Sequence, residues 1–126
     1  MVREFRGLDV WKRAVVLAKS VYKITKKFLD DEGYGLISQL RRAVVSVSSN
    51  IAEGCGRRTD RDSIQFLYIS LRSVKEVQSQ LYISKELGYL DEDILRKLDD
   101  ELEEISRMLM GLLSILRGVV GNRNFG

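Results

Sequence analysis

The chain has 126 residues, of which 44% are hydrophobic and 31% are charged, so its length and composition fit one globular domain. It contains no histidine, no proline and a single cysteine, Cys55. These absences exclude an internal disulfide framework and a zinc site of the usual His/Cys type within one subunit. They also remove imidazole, the side chain best suited to acid–base chemistry near neutral pH. The lack of imidazole does not forbid catalysis, but we expect a protein that is not an enzyme and has no cofactor.

The hydropathy of the chain bears on its cellular location. No run of apolar residues approaches the ~20 that a membrane span requires. The N-terminus lacks the apolar core of a signal peptide. We expect a soluble, cytoplasmic protein with no membrane partner.

Three segments in the first two thirds of the chain carry apolar residues at helical spacing. Because no proline interrupts them, each predicts one continuous helix. Asp9 is the predicted N-cap of the first helix, and Gly54 and Gly88 are the predicted ends of the second and third. The predicted helices span about 9–29, 35–53 and 61–87.

The last third of the chain gives the clearest pattern. Seven apolar residues recur there at alternating spacings of three and four, which predicts a heptad seam on one helix. Asp91 is its predicted N-cap, and Gly118 is expected to end it. The prediction is a helix over about 92–117, followed by a frayed tail over 118–126. The seam consists of Leu95, Leu98, Leu102, Ile105, Leu109, Leu112 and Leu116.

Short connections between helices of similar length favour antiparallel neighbours, so we predict a single-domain, all-α, up-down-up-down four-helix bundle over 1–126. The second and third helices carry more apolar residues than one buried face needs, which favours a homo-oligomer. The fourth helix, rich in acids around its seam, is expected to face solvent. The additional apolar residues are Ile37, Val45, Ala52, Ile64, Phe66, Tyr68, Ile69, Tyr82 and Ile83.

Charge is distributed unevenly along the chain. Residues 1–61 carry 13 Lys and Arg against 7 Asp and Glu, whereas residues 62–126 carry 8 against 11. On the first helix, spacings of 7, 4 and 3 place four lysines in one narrow row. The row is either a track for nucleic-acid phosphates or the solvated face of an amphipathic helix. The lysines are Lys12, Lys19, Lys23 and Lys26.

An arginine-rich turn between the second and third helices favours the binding interpretation. Arg57, Arg58 and Arg61 follow Gly54 and Gly56, and arginine pairs bidentately with phosphate. In the predicted topology this turn shares one pole with the start of the first helix and the end of the fourth. The cations of that basic pole are Arg3, Arg6, Lys12, Arg13, Arg57, Arg58, Arg61, Arg117 and Arg123.

A small polar stripe accompanies the apolar seam of the second helix. Asn50 and Glu53 belong to it, and we assign them a structural or interface role, since buried polar groups at helix contacts mostly close hydrogen bonds. Of Arg41 and Arg42, one is expected to pair with a carboxylate within or between bundles and the other to face solvent or nucleic acid. Cys55 lies beside arginines that would lower a thiol pKa, but without histidine as a base a nucleophilic role is not expected.

Several segments resemble the four-helix-bundle family of 23S ribosomal RNA intervening-sequence proteins. The similarity lies in residues 5–12, 34–43, 46–54, 56–57 and 87–90, and includes Arg-Arg-Ala followed by Asn-Ile-Ala-Glu-Gly. The resemblance implies a ring-shaped homopentamer with no established enzymatic activity. One related branch comprises the accessory variability proteins of diversity-generating retroelements, which bind a reverse transcriptase and nucleic acid. The family resemblance does not identify the branch.

Together these patterns predict a non-enzymatic, oligomeric bundle that binds RNA or DNA backbones. The alternative is a protein-interaction module whose partner is another protein, such as a reverse transcriptase. The predicted nucleic-acid-binding residues are Arg57, Arg58, Arg61, Lys12, Lys19, Lys23 and Lys26.

Overall fold

The structure, a computed structural model, describes residues 4–28 and 31–125, with side chains described for 4–28 and 34–121. A short 3₁₀ turn at Phe5–Gly7 precedes four helices, and the described residues contain no strand. The predicted all-α fold with four helices is confirmed. The helices are α1 (Asp9–Thr25), α2 (Asp31–Cys55), α3 (Asp60–Glu86) and α4 (Glu92–Phe125).

Local hydrogen bonds explain where α3 begins and ends. The Thr59 hydroxyl accepts a hydrogen bond from the Asp62 backbone N–H at 3.2 Å, which caps the N-terminus. At the other end Gly88 adopts a φ of +83°, a conformation that favours glycine. The Tyr89 N–H then donates to the Ser84 carbonyl at 2.9 Å, which satisfies an otherwise unpaired carbonyl of the last turn.

The predicted N-caps of the first and last helices have different outcomes. The Asp91 carboxylate accepts a hydrogen bond from the Ile94 N–H at 2.9 Å, which confirms Asp91 as the cap of α4. Asp9 as a cap was wrong, because Leu8 occupies the extended cap position and Asp9 is the first helical residue. Its carboxylate still lies at the positive end of the helix dipole.

Three helix bounds differ from the sequence prediction by more than a residue or two. α2 begins at Asp31 rather than near residue 35, and α1 ends at Thr25 rather than near residue 29, a position outside the described residues. α4 continues to Phe125 instead of ending near 117, so most of the predicted tail is helical; residue 126 lies outside the described range. Glycine weakens a helix by about 1 kcal/mol relative to alanine but, unlike proline, does not break its hydrogen bonds.

One continuous apolar core lies between the four helices, and the seam of α4 supplies much of it. Leu102, Ile105 and Leu109 have no exposed surface, as predicted. Near the C-terminus the fully buried residue is Leu113, whereas the predicted Leu112 is only half-buried. A straight helix drifts by about 20° per heptad relative to a strict seven-residue repeat, which moves the buried position by one residue.

Helices α2 and α3 are joined by short polar contacts. Three α3 serines donate to α2, and the α2 acceptors are met in reverse order as α3 proceeds. The pairs are Ser63 Oγ to the Gly54 carbonyl (2.6 Å), Ser70 Oγ to the Val47 carbonyl (2.7 Å) and Ser73 Oγ to Ser46 Oγ (2.8 Å).

The apolar surplus predicted for the second and third helices lies partly inside this single chain. Ile37, Ile64 and Tyr68 are half-buried against the core, whereas Tyr82 remains 52% exposed. Exposed apolar side chains occur on all four helices, including α4, which the sequence predicts to be the polar, solvent-facing member; Ile115 of α4 is 66% exposed. Most acids around the α4 seam are exposed, as a solvent-facing helix requires, and the oligomer inferred from the apolar surplus stays a prediction.

Candidate functional site

The arginine-rich turn lies where α2 meets α3. The Arg57 guanidinium donates to the Glu53 carboxylate at 3.0 Å and lies 4.3 Å from the centre of the Phe66 ring. This ion pair and cation–π contact hold Arg57 against the protein surface. Arg58 and Arg61 are exposed on the same turn and the first turn of α3. The turn therefore presents arginines at the surface, with Arg57 oriented by its two neighbours.

The lysine row is fully exposed along α1 and at its C-cap, Lys26. Lys12, Lys19, Lys23 and Lys26 are all exposed, on the face opposite the buried residues of the helix. Among the described residues, no carboxylate forms an ion pair with any of the four ammonium groups. The row therefore carries four positive charges that the described part of the chain does not neutralise.

The basic pole is less positive than the sequence suggests. Arg6 pairs with Glu4 at 2.9 Å, and Arg13 lies 3.8 Å from Glu101 of α4. The predicted pole residues Arg3 and Arg123 lie outside the residues with described side chains. Since Arg57 is also paired, three of the predicted pole cations have an acid partner, whereas none of the four lysines of the row has one within the described ranges.

Arg41 and Arg42 are neighbours with different roles. Arg41 Nε donates to Thr25 Oγ1 at 2.9 Å, and its terminal nitrogen donates to the Tyr22 carbonyl at 3.2 Å. Arg41 thus places a cation at the C-terminal end of α1, where the helix dipole favours positive charge. Its described acceptors are a hydroxyl and a carbonyl, so a carboxylate partner within or between bundles stays a prediction. Arg42 is exposed and has no described partner.

The polar stripe of α2 closes hydrogen bonds within the bundle. Asn50 Nδ2 donates to the Ser46 carbonyl at 2.8 Å and to Ser46 Oγ at 2.9 Å. Ser46 Oγ also accepts from Ser73 of α3, so a hydrogen-bonded chain crosses between the helices. Glu53 instead holds Arg57 at the surface. These contacts give Asn50 and Glu53 structural partners within one chain.

A polar cleft that the sequence pattern does not reveal lies on the outer side of α2 and α3. Its volume is about 540 Å³, within the range typical of ligand sites. Gln80 Nε2 donates to Gln39 Oε1 over a long 3.5 Å, while Gln80 Oε1 is buried without a hydrogen-bond partner. The signal in the sequence is the spacing of four between Arg72, Glu76 and Gln80, which places them on one face of α3. The cleft is lined by Gln39, Arg42, Ala43, Ser46, Ile69, Arg72, Ser73, Glu76 and Gln80.

Cys55 does not lie in the reactive setting that its neighbours suggest. Its side chain is buried, with 2% of its surface exposed, at the end of α2. Burial raises the pKa of the Cys55 thiol, because an apolar environment disfavours the thiolate. The predicted lowering of this pKa was wrong: the adjacent arginines point to the surface while the sulfur points inward.

Two further features bear on the kind of site that the chain can form. The described side chains contain no cluster of three or more His, Cys, Asp or Glu residues that could hold a metal ion. Within the described ranges, none of the helices combines the length and hydropathy needed to cross a membrane.

Comparisons with known proteins agree with the fold. A search of the curated proteins gives no match. A crystal structure of a protein of unknown function from the S23 ribosomal protein family of Bacteroides thetaiotaomicron VPI-5482 is similar, with a TM-score of 0.77 and 19% sequence identity. The similarity covers 82% of this chain and 97% of that chain, and at this identity it shows the fold alone. The family model described as 23S rRNA-intervening sequence protein matches residues 6–111. Because that match spans most of the sequence, the chain belongs to the family of 23S rRNA-intervening sequence proteins.

Proposed function

We propose that this protein is a non-enzymatic, oligomeric bundle that binds the phosphates of RNA or DNA through its basic surface. The lysine row of α1 carries the proposal. Its four ammonium groups are exposed, and none is paired with an acid among the described residues. At 1.5 Å per residue the row extends over about 21 Å, a length that spans several phosphates of one strand.

The electrostatics of the row suit binding that depends on charge rather than on sequence. Lysine is a compact point charge on a flexible stem, so it follows a phosphate backbone without fixing a base. Each phosphate contact releases condensed counterions, which makes the affinity fall as salt rises. Arg58 and Arg61, exposed at the α2–α3 turn, add positive charge on a second helix pair.

We also propose that the helices follow an antiparallel up-down-up-down order. The reversed serine contacts between α3 and α2 support this order. Between α3 and α4, Gln78 donates to Asp99 at 3.0 Å, and the earlier Tyr68 accepts from the later Arg117 at 2.7 Å. This order supports the placement of the α2–α3 turn near the end of α4.

The oligomer is part of the proposal, and the family resemblance favours a homopentamer. Exposed apolar side chains support self-association, among them Val16 (61%), Ile115 (66%) and Tyr82 (52%). Light scattering of the purified protein is expected to give five times the 14.4 kDa chain mass. A stable monomer at micromolar concentration would contradict the oligomer but leave the lysine row available for binding.

A salt titration tests the binding surface. Lys12, Lys19, Lys23 and Lys26 are replaced together by Gln, and affinity for a generic single strand is measured by fluorescence anisotropy at several salt concentrations. The slope of log affinity against log salt is expected to become shallower by about 0.7 for each lysine–phosphate interaction that the variant no longer makes.

The matched control removes the same charge elsewhere: Lys75, Arg96, Lys97 and Arg107, all exposed, are replaced by Gln. The control is expected to keep most of the slope. Equal losses in both variants would show that only net charge matters and would refute the lysine row as the binding surface. An unchanged affinity in the lysine variant would refute it as well.

A second candidate function is that of an accessory factor that binds a protein such as a reverse transcriptase. The exposed Met110 and Ile115 on one helix favour it, because apolar side chains at a surface suit a protein partner better than a phosphate backbone. If the intact protein binds no RNA or DNA at low salt, this candidate replaces the first.

A further inference from the structure

We propose that the polar cleft between α2 and α3 holds one nucleotide of a single strand, with its phosphate at Arg42 and Arg72 and its base edge at Gln39 and Gln80. This inference rests on the proposed function and adds to it a discrete site on a different helix pair from the lysine row. The cleft combines an anion-binding part and an amide-lined part within one volume of about 540 Å³.

The anion-binding part consists of two arginines. Both Arg42 and Arg72 are exposed, both line the cleft, and neither has a described hydrogen-bond or ion-pair partner. Two surface cations on α4 contrast with this, since Arg96 and Arg107 each pair with a glutamate of the same helix. Two unpaired guanidinium groups on opposite walls can both donate to one phosphate, a geometry that a single lysine does not provide.

The amide-lined part explains the buried oxygen without a partner. Gln80 Oε1 accepts no hydrogen bond, although a buried acceptor normally has one. The amide nitrogen of Gln39, whose Oε1 lies 3.5 Å from Gln80 Nε2, has no described partner either. Because Gln80 Oε1 is buried, the weak 3.5 Å contact between the two amides must open before they can offer a base edge an acceptor and a donor. An adenine edge presents the complementary pair, an amino donor beside a ring-nitrogen acceptor.

The charges of the cleft favour a ligand that carries more than an anion. Glu76 also lines the cleft and repels a bare phosphate, but it can accept a hydrogen bond from a hydroxyl or amino group. A ligand with both an anion and N–H or O–H donors satisfies all of these groups, and a nucleotide is such a ligand.

The shape of the cleft selects an unpaired base. The major groove of B-form DNA is wide enough for one α-helix. A concave cleft formed by two helices cannot enter that groove to reach a paired base. The base edge must instead enter the cleft, as unstacked bases of single strands do when proteins read them. We therefore expect the site to bind single strands and not duplexes.

Two measurements on the full chain test the site, both by anisotropy at about 50 mM salt with oligoadenylate and an abasic strand of equal length. The wild type is expected to bind oligoadenylate about tenfold more tightly than the abasic strand, which has no base edge for the two amides. Gln80→Met, which keeps the size of the side chain but removes its amide, is expected to abolish that preference. Gln39→Met, at an exposed position, is expected to do the same without a change in the core. A blunt duplex and free adenosine monophosphate are titrated in the same way. The duplex presents only paired bases, and the monophosphate presents a nucleotide outside a strand.

The arginine contribution has its own matched control. Arg42→Gln with Arg72→Gln is compared with Arg96→Gln plus Arg107→Gln, which lowers the net charge by the same amount. The Arg42/Arg72 double variant is expected to weaken oligoadenylate binding at least fivefold more than the Arg96/Arg107 double variant does. Light scattering accompanies each variant.

Four outcomes overturn the site: no oligoadenylate preference in the wild type, a preference that survives both glutamine variants, equal losses in the two arginine pairs, or a changed mass in the cleft variants, which would make the cleft a subunit contact. Duplex binding as tight as single-strand binding overturns it too. If any of these outcomes occurs while the lysine variant still loses affinity, the proposed function stands and only the nucleotide site in the cleft is refuted. If the wild type binds no nucleic acid, both fail.

Discussion

The α2–α3 and α3–α4 contacts use the same helix in two different ways. Against α2, helix α3 presents serines whose short side chains reach the neighbouring backbone directly, as Ser70 does at the Val47 carbonyl. Against α4, it presents leucines and longer polar side chains, and Gln78 reaches the carboxylates of Asp99 and Glu103. A serine hydroxyl reaches another helix backbone only when the helices are close.

The difference shows what a polar stripe on a helix does inside a bundle. A β-carbon added at Gly54 would lie 3.3 Å from the Ser63 carbonyl oxygen and 3.4 Å from Phe66 Cβ, so α2 and α3 approach more closely than bulkier residues would allow. Small and hydroxyl-bearing residues permit this approach and satisfy the polar atoms it buries. Along α4, leucine volume sets the spacing instead.

The largest expected effect lies in the apolar seam of α4. Leu102 is fully buried, so Leu102→Ala is expected to destabilise the protein by about 2–5 kcal/mol through reduced burial and the cavity left behind. Glu101→Ala, one position away and exposed, is expected to cost no more than about 0.5 kcal/mol. Urea denaturation of both variants measures the difference. Equal stabilities would contradict the assigned orientation of α4.

The close approach of α2 and α3 predicts a smaller effect. Gly54→Val is expected to destabilise by about 1–3 kcal/mol, because its side chain must displace backbone and Cβ atoms of α3. Gly111 of α4 has no atom within 4 Å of an added Cβ, so Gly111→Val is expected to be nearly neutral. Thermal unfolding monitored by circular dichroism compares the two. If Gly54→Val is also neutral, the helices are not tightly apposed there.

The smallest effect is expected from one hydrogen bond between the helices. Ser70→Ala removes the 2.7 Å hydrogen bond to the Val47 carbonyl and is expected to cost about 1 kcal/mol. The control is Ser79→Ala on the exposed face of the same helix, where no such bond exists and alanine is the better helix former. A chemical-denaturation series resolves this difference. A Ser70 variant as stable as the control would show that close packing, not hydrogen bonding, holds the pair together.

Much of the fold follows from local patterns in the sequence. Four helices, the cap at Asp91 and the glycine turn at Gly88 depend on neighbours within a few residues, which the sequence contains. The burial of Leu113 in place of the predicted Leu112 does not follow from local patterns, because it depends on how a straight helix meets its partners over several turns. The candidate site divides in the same way. The lysine row is a property of one helix, whereas the cleft is formed by two helices that are distant in sequence.

By itself, the sequence determined the number and approximate length of the helices, the apolar face of each and the exposed lysine row on α1, because helical periodicity is a local property. Only the tertiary structure decided the environment of each polar group. It turned the Cys55 thiol inward, placed Arg41 at the end of α1, and joined Arg42 and Gln39 to Arg72 and Gln80 in one cleft. The physical reason is that burial, pKa and hydrogen bonding depend on which atoms meet across helices, and those contacts form between residues far apart in the chain.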